Sequence, residues 1–203
     1  MIENVLYINL EHRKDRKISI EKTLSCFSNV ERIDAIPNKY GCLGTTRSHI
    51  KALEYAISKN WSHVLIVEDD MVWSDYNKVS ILKSIPDYDV IVLGGILVEH
   101  NPETHRLDKC NSTGAYLVSQ KYYETLLQNF KEGCFLLENQ LNKPLRIGLN
   151  REKRQDVLYR IDIWWHSLQQ KDNWYILPLM YSPPGYSDVL NKIIDHSNLF
   201  LKE

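Results

Sequence analysis

The sequence predicts an α/β fold in which a central sheet is flanked by helices. Short runs of β-branched and aromatic residues alternate along the chain with segments that carry apolar residues at helical spacing. This alternation is typical of an α/β sheet with helices on its faces. The chain has 203 residues, 43% of them hydrophobic and 25% charged, an ordinary globular balance. We therefore expect one domain over residues 1–203.

The first half of the chain carries most of the predicted sheet. Runs rich in valine, leucine and isoleucine predict strands at Asn4–Asn9, Val30–Ile33, His63–Val67 and Asp89–Leu93. Gly94 and Gly95 are expected to end the last of these strands. Apolar residues at helical spacing predict one helix over Arg16–Phe27 and another that Ser48 caps, with Ile50, Leu53 and Ile57 on its inner face.

The second half predicts two more strands and two more helices. We expect a strand at Gly114–Val118 and then a helix that Ser119 caps. Residues 131–155 indicate a long loop, which is often functional at this length. The next helix, from about Val157 to Gln170, places Asp162 and His166 one turn apart. A late strand is expected at Trp174–Leu177, followed by a turn at residues 183–185.

Composition excludes several classes of protein. The net charge of −1 gives no basic surface for nucleic acid. The N-terminus lacks the pattern of a signal peptide, and no run approaches the ~20 apolar residues of a membrane helix, so a cytoplasmic protein is expected. The four cysteines form no Cys-x-x-Cys pair, which favours reduced thiols over a zinc site: Cys26, Cys42, Cys110 and Cys134.

Three consecutive acids, Glu68, Asp69 and Asp70, directly follow the most apolar predicted strand. Ligands of open α/β sheets bind beyond the carboxyl ends of the strands. Carboxylates there can hold Mg²⁺ or Mn²⁺ while phosphate oxygens complete the coordination. The alternative interpretation, a solvated turn in which one acid caps the next element, remains open on these residues alone.

Two competing interpretations of the acids have less support. Asp87-Tyr88-Asp89 is a second acidic pair, but it precedes its strand and should lie at the opposite edge of the sheet. The run Leu65–Asp70 is similar to the first strand of a phosphorelay receiver domain. A receiver requires this strand near the N-terminus and a phosphoacceptor aspartate after a later strand, and neither condition is met here.

Several spaced motifs together resemble glycosyltransferase family 25, which includes lipooligosaccharide and collagen galactosyltransferases. The similar segments run from about Val5 to Asp188 and occur in the family's order. Thr45 stands where the family usually has cysteine, and the last segment is spaced one residue more tightly. The motifs are Tyr7-Ile8-Asn9-Leu10-x-x-Arg13-x-x-Arg16, Gly41-x-x-Gly44-Thr45-x-x-Ser48-His49, Val67-Glu68-Asp69-Asp70, Thr113–Ser119, Asp162, and Gly185-Tyr186-Ser187-Asp188.

The resemblance implies a GT-A-type, Rossmann-like domain with a mixed, mostly parallel sheet. It also implies a metal-dependent, inverting transfer of galactose or glucose from a UDP-sugar to an acceptor hydroxyl on a glycan or hydroxylysine, as in lipooligosaccharide or collagen-like acceptors. A degenerate nucleotide- or glycan-binding module without turnover is the alternative. We assign Mn²⁺ or Mg²⁺ to Glu68 and Asp70, with Asp188 as the third ligand and His196 in reserve. Asp188 could equally be a turn or cap residue.

The remaining roles concern the nucleotide and the catalytic base. The expected nucleotide contacts are Asn9, Leu10, Arg13, Arg16, Ser48, His49 and Asp69, with Ser48 and His49 opening a helix whose N-terminus favours anions. The arginines could instead belong to a surface charge run, and His49 could simply pack its helix. Asp162 is assigned as the base, with His166 tuning it or binding acceptor. A structural ion pair between Asp162 and Arg160 remains open.

A basic run within the predicted loop has two open interpretations. It could form a mobile lid over the diphosphate or a solvated loop, and it comprises Arg146, Arg151, Lys153 and Arg154.

Overall fold

The computed structural model describes residues 2–85, 87–142, 158–189, 192–195 and 199. Its main sheet has six strands in the order β2-β1-β3-β6-β5-β7. These strands are β1 (Val5–Asn9), β2 (Val30–Asp34), β3 (His63–Glu68), β5 (Val90–His100), β6 (Leu107–Ser119) and β7 (Trp174–Ile176). Two small two-stranded sheets comprise β4 (Val72–Trp73) with β8 (Met180–Tyr181), and β9 (Gly185–Ser187) with β10 (Lys192–Ile194).

The strand directions confirm a mixed, mostly parallel sheet. β1 pairs in parallel with both β2 and β3, and β5 pairs in parallel with β7. β6 is inserted antiparallel between β3 and β5. The carboxyl ends of β1, β2 and β3 therefore meet at one edge, which brings Asn9, Asp34 and Glu68 to the same side of the molecule.

Alternation along the strands builds a core on each face of the sheet. Leu6, Ile8 and Ile66 face one apolar cluster, while Tyr7 and Val67 face the other. The first cluster packs against α2 (Gly41–Ser58) and α3 (Tyr123–Leu141), and the second against α1 (Lys14–Thr23). Both faces are covered, which explains why β3 reads as a continuous apolar run.

Two strands are longer than the sequence predicted. β5 continues through Gly94 and Gly95 to His100, so the expectation that the glycines end it was wrong. A Cβ at Gly94 would lie 2.2 Å from the Met71 methyl carbon, so the glycine serves close packing instead. β6 begins at Leu107 rather than at Gly114 because it pairs with this extension, through several register shifts.

The helices also differ from the prediction. α2 begins at Gly41, so Ser48 and His49 lie in its interior and do not open it. α3 continues to Leu141, which contradicts the predicted loop for residues 131–141. The basic run at 146–154 and His196 lie outside the described residues.

The helix expected from Val157 to Gln170 is two short helices in the structure. α4 spans Ile161–Trp164 and α5 spans His166–Lys171. Leu158 is exposed rather than inward-facing, and residue 157 lies outside the described residues. Two 3₁₀ segments, Tyr76–Ser84 and Gln120–Tyr122, complete the elements. Within the described residues, no helix has the length and apolar character needed to cross a membrane.

Candidate functional site

A cleft of about 640 Å³ opens at the carboxyl ends of β1 and β3. The three acids after β3 lie in its floor, and residues from the start of α2 and the middle of β6 form its walls. This position beyond the strand ends is where open α/β sheets bind ligands. Predicted site residues that line the cleft are Leu10, Arg16, Ser48, His49, Glu68, Asp69, Asp70, Asp162 and Asp188.

Glu68 is held in place by two side chains. The Thr113 hydroxyl donates to Glu68 Oε1 over 2.7 Å, and His49 Nε2 lies 3.3 Å from the same oxygen. Since an ionised carboxylate only accepts, the ring proton belongs on Nε2, and Nδ1 accepts from the Tyr116 hydroxyl 3.0 Å away. Burial raises the pKa of Glu68, but His49, followed by the hydrogen bond from Thr113, outweighs burial, and the pKa is lowered. Glu68 is therefore an oriented, ionised carboxylate.

Asp69 is oriented away from its neighbours by two donors. Asn9 Nδ2 donates to its Oδ2 over 2.7 Å, and Arg16 Nη1 donates to its Oδ1 over 2.9 Å. The side-chain oxygen of Asn9, Oδ1, accepts a hydrogen bond from Arg32 Nε, which fixes the orientation of the Asn9 amide. Burial still raises the pKa of Asp69, against the opposing effect of Arg16. Asp69 thus links β3 to β1 and α1.

Asp70 combines burial with repulsion from a neighbouring carboxylate. Burial, followed by the charge of Glu68, raises its pKa to about 6. Arg16 Nη1 lies 3.5 Å from its Oδ2 and opposes this shift. A carboxylate in this setting gains from any further positive charge that enters the cleft.

Asp188 follows β9 and reaches the cleft beside the arginines. Arg13 donates to Asp188 Oδ2 in a short contact, and Arg16 lies 4.0 Å from the same oxygen. The Arg16 Nη2 group also donates to the Tyr186 carbonyl oxygen. Both arginines predicted to hold the nucleotide are therefore bonded to acids in this structure.

Metal coordination by Glu68, Asp70 and Asp188 together is not preassembled. Over the described ranges, no group of three or more histidine, cysteine, aspartate or glutamate side chains is arranged to hold an ion. The donor set nevertheless suits a hard cation, because Mg²⁺ and related ions are held by one or two carboxylates plus substrate phosphates. Glu68 and Asp70 supply such a pair.

Asp162, at the start of α4, also lines the cleft. The backbone N–H of Ser112 donates to Asp162 Oδ2 over 3.2 Å. Ser112 has a φ of 68°, a left-handed conformation that a serine rarely adopts, within the irregular part of β6. Burial raises the pKa of Asp162, and the charge of Arg160 opposes the shift. No Arg160–Asp162 ion pair forms in the described structure, so Asp162 is not a simple partner of that arginine.

Three predicted residues have other environments. The Ser48 hydroxyl donates to the Gly44 carbonyl and accepts from the Ile36 N–H, so it fixes the loop before α2. Because it lies inside α2, the expected anion site at Ser48 and His49 does not exist in that form. His166 hydrogen-bonds Asn111 and is not among the cleft-lining residues.

The structure also brings residues to the cleft that the sequence did not single out as functional. Arg160, Ser112 and Ser182 all line it. The sequence suggested Arg160 only as a possible ion-pair partner of Asp162. Its position two residues before Asp162 was the one sequence feature that could have indicated a place in the site.

The second acidic pair lies away from the cleft. Asp89 immediately precedes β5, and its carbonyl oxygen accepts from the Ser119 N–H at the end of β6. Asp89 also pairs with Lys121, 3.2 Å away. Asp89 is therefore at the amino-terminal edge of β3 and β5, opposite to Glu68.

Comparison with known proteins identifies the fold. No protein-family model matches the sequence, and a search of curated proteins gives no match. Among solved structures, a glycosyltransferase involved in glycosylation of the major capsid of PBCV-1 superimposes with a TM-score of 0.53 and 13% identity, covering 92% of this chain and 95% of that one. A197 from STIV (12% identity, 96% and 94% coverage) and the galactosyltransferase LgtC in complex with donor and acceptor sugar analogues (12%, 85% and 72%) each give 0.48. The chain has a GT-A-type fold.

Proposed function

We propose that this protein is a metal-dependent glycosyltransferase that moves a hexose, galactose or glucose, from a UDP-sugar to an acceptor hydroxyl with inversion. One observation carries the proposal: the acids that follow β3 and the separate carboxylate of Asp162 face the same cleft of a GT-A-type sheet. Such a cleft can hold a cation for a diphosphate in its floor and offers a separate proton acceptor nearby.

The acids in the floor of the cleft would bind the donor through a cation. Glu68 and Asp70 would hold Mn²⁺ or Mg²⁺, and the ion would neutralise the charge that develops on the leaving UDP. The Glu68 carboxylate is oriented for this by His49 and Thr113. Asp188 remains the proposed third ligand, and it would have to exchange its contact with Arg13 for the ion.

The nucleotide would lie across the ends of β1 and β2. Leu10 and Asn9 occupy the end of β1, and Pro37 and Asn38 line the adjoining wall. Arg16 is placed to contact phosphate once the ion replaces it among the acids. Asp69, which accepts hydrogen bonds from Asn9 and Arg16, would then also accept one from a hydroxyl of the ribose or the sugar.

Asp162 would carry the chemical step. Asp162 takes the proton from the acceptor hydroxyl, whose oxygen forms the new bond to the anomeric carbon. The bond from that carbon to the UDP oxygen breaks on the opposite face, and the electron pair leaves with UDP. The raised pKa of Asp162 makes it a stronger base than a solvated aspartate.

The acceptor is proposed to be a glycan or a hydroxylysine side chain, in lipooligosaccharide or collagen-like chains. A binding module without turnover is the second candidate. Arg13 and Arg16 form ion pairs with Asp188 and Asp69, which would compete with binding of a catalytic metal ion. A binder would retain nucleotide without releasing UDP from a sugar nucleotide.

The test is a screen of UDP-galactose, UDP-glucose and other UDP-sugars for Mn²⁺-dependent UDP release, with chelator as the blank. We expect release that disappears in Asp70→Asn and persists in the control Asp108→Asn, which lies outside the cleft. UDP binding without release for every sugar would support the binding module. Undiminished release by Asp70→Asn with Mn²⁺ present would show that the metal assignment is wrong.

A further inference from the structure

Arg160 is a cleft-wall cation for which the described residues supply no partner. It immediately precedes α4 and is only partly exposed. Its Nε is enclosed and makes no hydrogen bond to any described residue. Its guanidinium forms no ion pair with a described carboxylate, and its charge reaches Asp162 only through space.

The other arginine that lines the cleft among the described residues is bonded differently. Arg16 Nη1 donates to Asp69 and lies 3.5 Å from Asp70, while its Nη2 donates to the Tyr186 carbonyl oxygen. Arg16 therefore pairs with the acids of the cleft from the α1 side. Arg160 lies on the α4 side, where no described carboxylate forms an ion pair with it.

A guanidinium donor that is enclosed without an acceptor costs free energy, which a bound anion can recover. The planar fork of arginine matches the two oxygens of a carboxylate or phosphate. The enclosed Nε belongs to that fork, and Arg160 lines the same cleft as Asp162.

We infer that Arg160 binds the anionic oxygens of a substrate group, a phosphate or a carboxylate, in the cleft beside Asp162. The inference rests on the proposed function in taking this cleft as the substrate site. Two sources share this chemistry. One is the diphosphate of the donor, and the other is an acid group on the acceptor sugar, such as a uronate.

Calorimetric titration with UDP, glucuronate and glucose distinguishes the sources. We compare wild type with Arg160→Gln, Arg160→Lys and the control Arg106→Gln, whose arginine stacks on Tyr175 outside the cleft. Arg160→Gln should weaken one anion at least tenfold, with partial recovery in Arg160→Lys. A loss for UDP identifies the diphosphate, while a loss for glucuronate but not for glucose identifies an acidic acceptor.

The inference is overturned if Arg160→Gln binds both anions as Arg106→Gln does, or if the wild type binds neither. Thermal unfolding of each variant checks that the fold is retained. Because calorimetry needs no turnover, the two proposals fail separately. Arg160-dependent anion binding without UDP release would refute the transferase but keep the anion site. UDP release in a protein whose anion binding is insensitive to Arg160 would do the reverse.

Discussion

Replacing Arg16 by methionine should destabilise the protein in the absence of metal. Arg16 Nη1 lies 2.9 Å from Asp69, and the two side chains are only 17% and 10% exposed. At an effective dielectric constant of about 20, this contact is worth about 6 kcal/mol of attraction before desolvation. Removing one partner of a buried pair typically costs about 3 kcal/mol, at the lower end of the observed range. For a chain of this size, that loss lowers Tm by about 6–12 °C.

Metal should restore part of this loss. Without Arg16, the three acids lack the cation that lies nearest to them, so an added Mn²⁺ ion meets less competition for Glu68 and Asp70. A ligand that binds only the folded state raises its stability by RT ln(1 + L/Kd), where L is the free ligand concentration, so tighter binding gives a larger increase. We therefore expect Mn²⁺ to raise the Tm of Arg16→Met by more than it raises that of the wild type.

The assay is thermal unfolding with Mn²⁺ and with chelator, and Arg106→Met is the matched control. Arg106 rests on the Tyr175 ring and has no acid partner among the described residues. If Arg16→Met unfolds at the temperature of the control, the contact with Asp69 does not stabilise the fold. If Mn²⁺ shifts both variants equally, Arg16 does not compete with a metal.

Two further predictions concern Asp162 and the helix that carries it. The pKa of Asp162 is raised, and a base must be ionised to act. On acidification, kcat/KM for transfer should therefore begin to fall at a higher pH than it would with a solvated aspartate as the base. A pH–rate profile that stays flat down to the ordinary aspartate range would contradict this role. In Gly133→Ala the new Cβ would lie 2.7 Å from Trp164 Cδ1, so α3 and α4 must separate at a cost of about 1–3 kcal/mol. Denaturant unfolding measures this against Gly185→Ala, where the nearest atom is 3.8 Å away, and equal stabilities would show that the packing is loose.

Most of the sheet was predictable because its strands are encoded locally. β1 and β3 are short apolar runs, and the structure places both within two residues of the predicted bounds. The lengths of β5 and β6 were not predictable, since the extension to His100 depends on irregular pairing of residues 96–100 with residues 107–111, which neither run shows by itself. The continuation of α3 to Leu141 was missed because Pro144 and the basic run favoured a loop, whereas Gly133 lets α3 pack closely on Trp164.

The site divides in the same way. The acids after β3 were found because a charged triplet after an apolar strand is a local pattern. The expectation that Ser48 and His49 open α2 was wrong, because a serine before an apolar periodic run looks like a cap. Their true setting depends on the Ile36 loop and on Tyr116, neither of which the α2 sequence reveals.

The sequence by itself determined the fold class and the position of Glu68, Asp69 and Asp70 at a strand's carboxyl end. These features depend on residue type and spacing within about ten residues. Only the tertiary structure decided that Asp162 faces these acids, that Arg16 lies among them, and that Arg160 borders the same cleft. The reason is physical: strand order and the antiparallel insertion of β6 set these distances, and both arise from contacts between segments far apart in the chain.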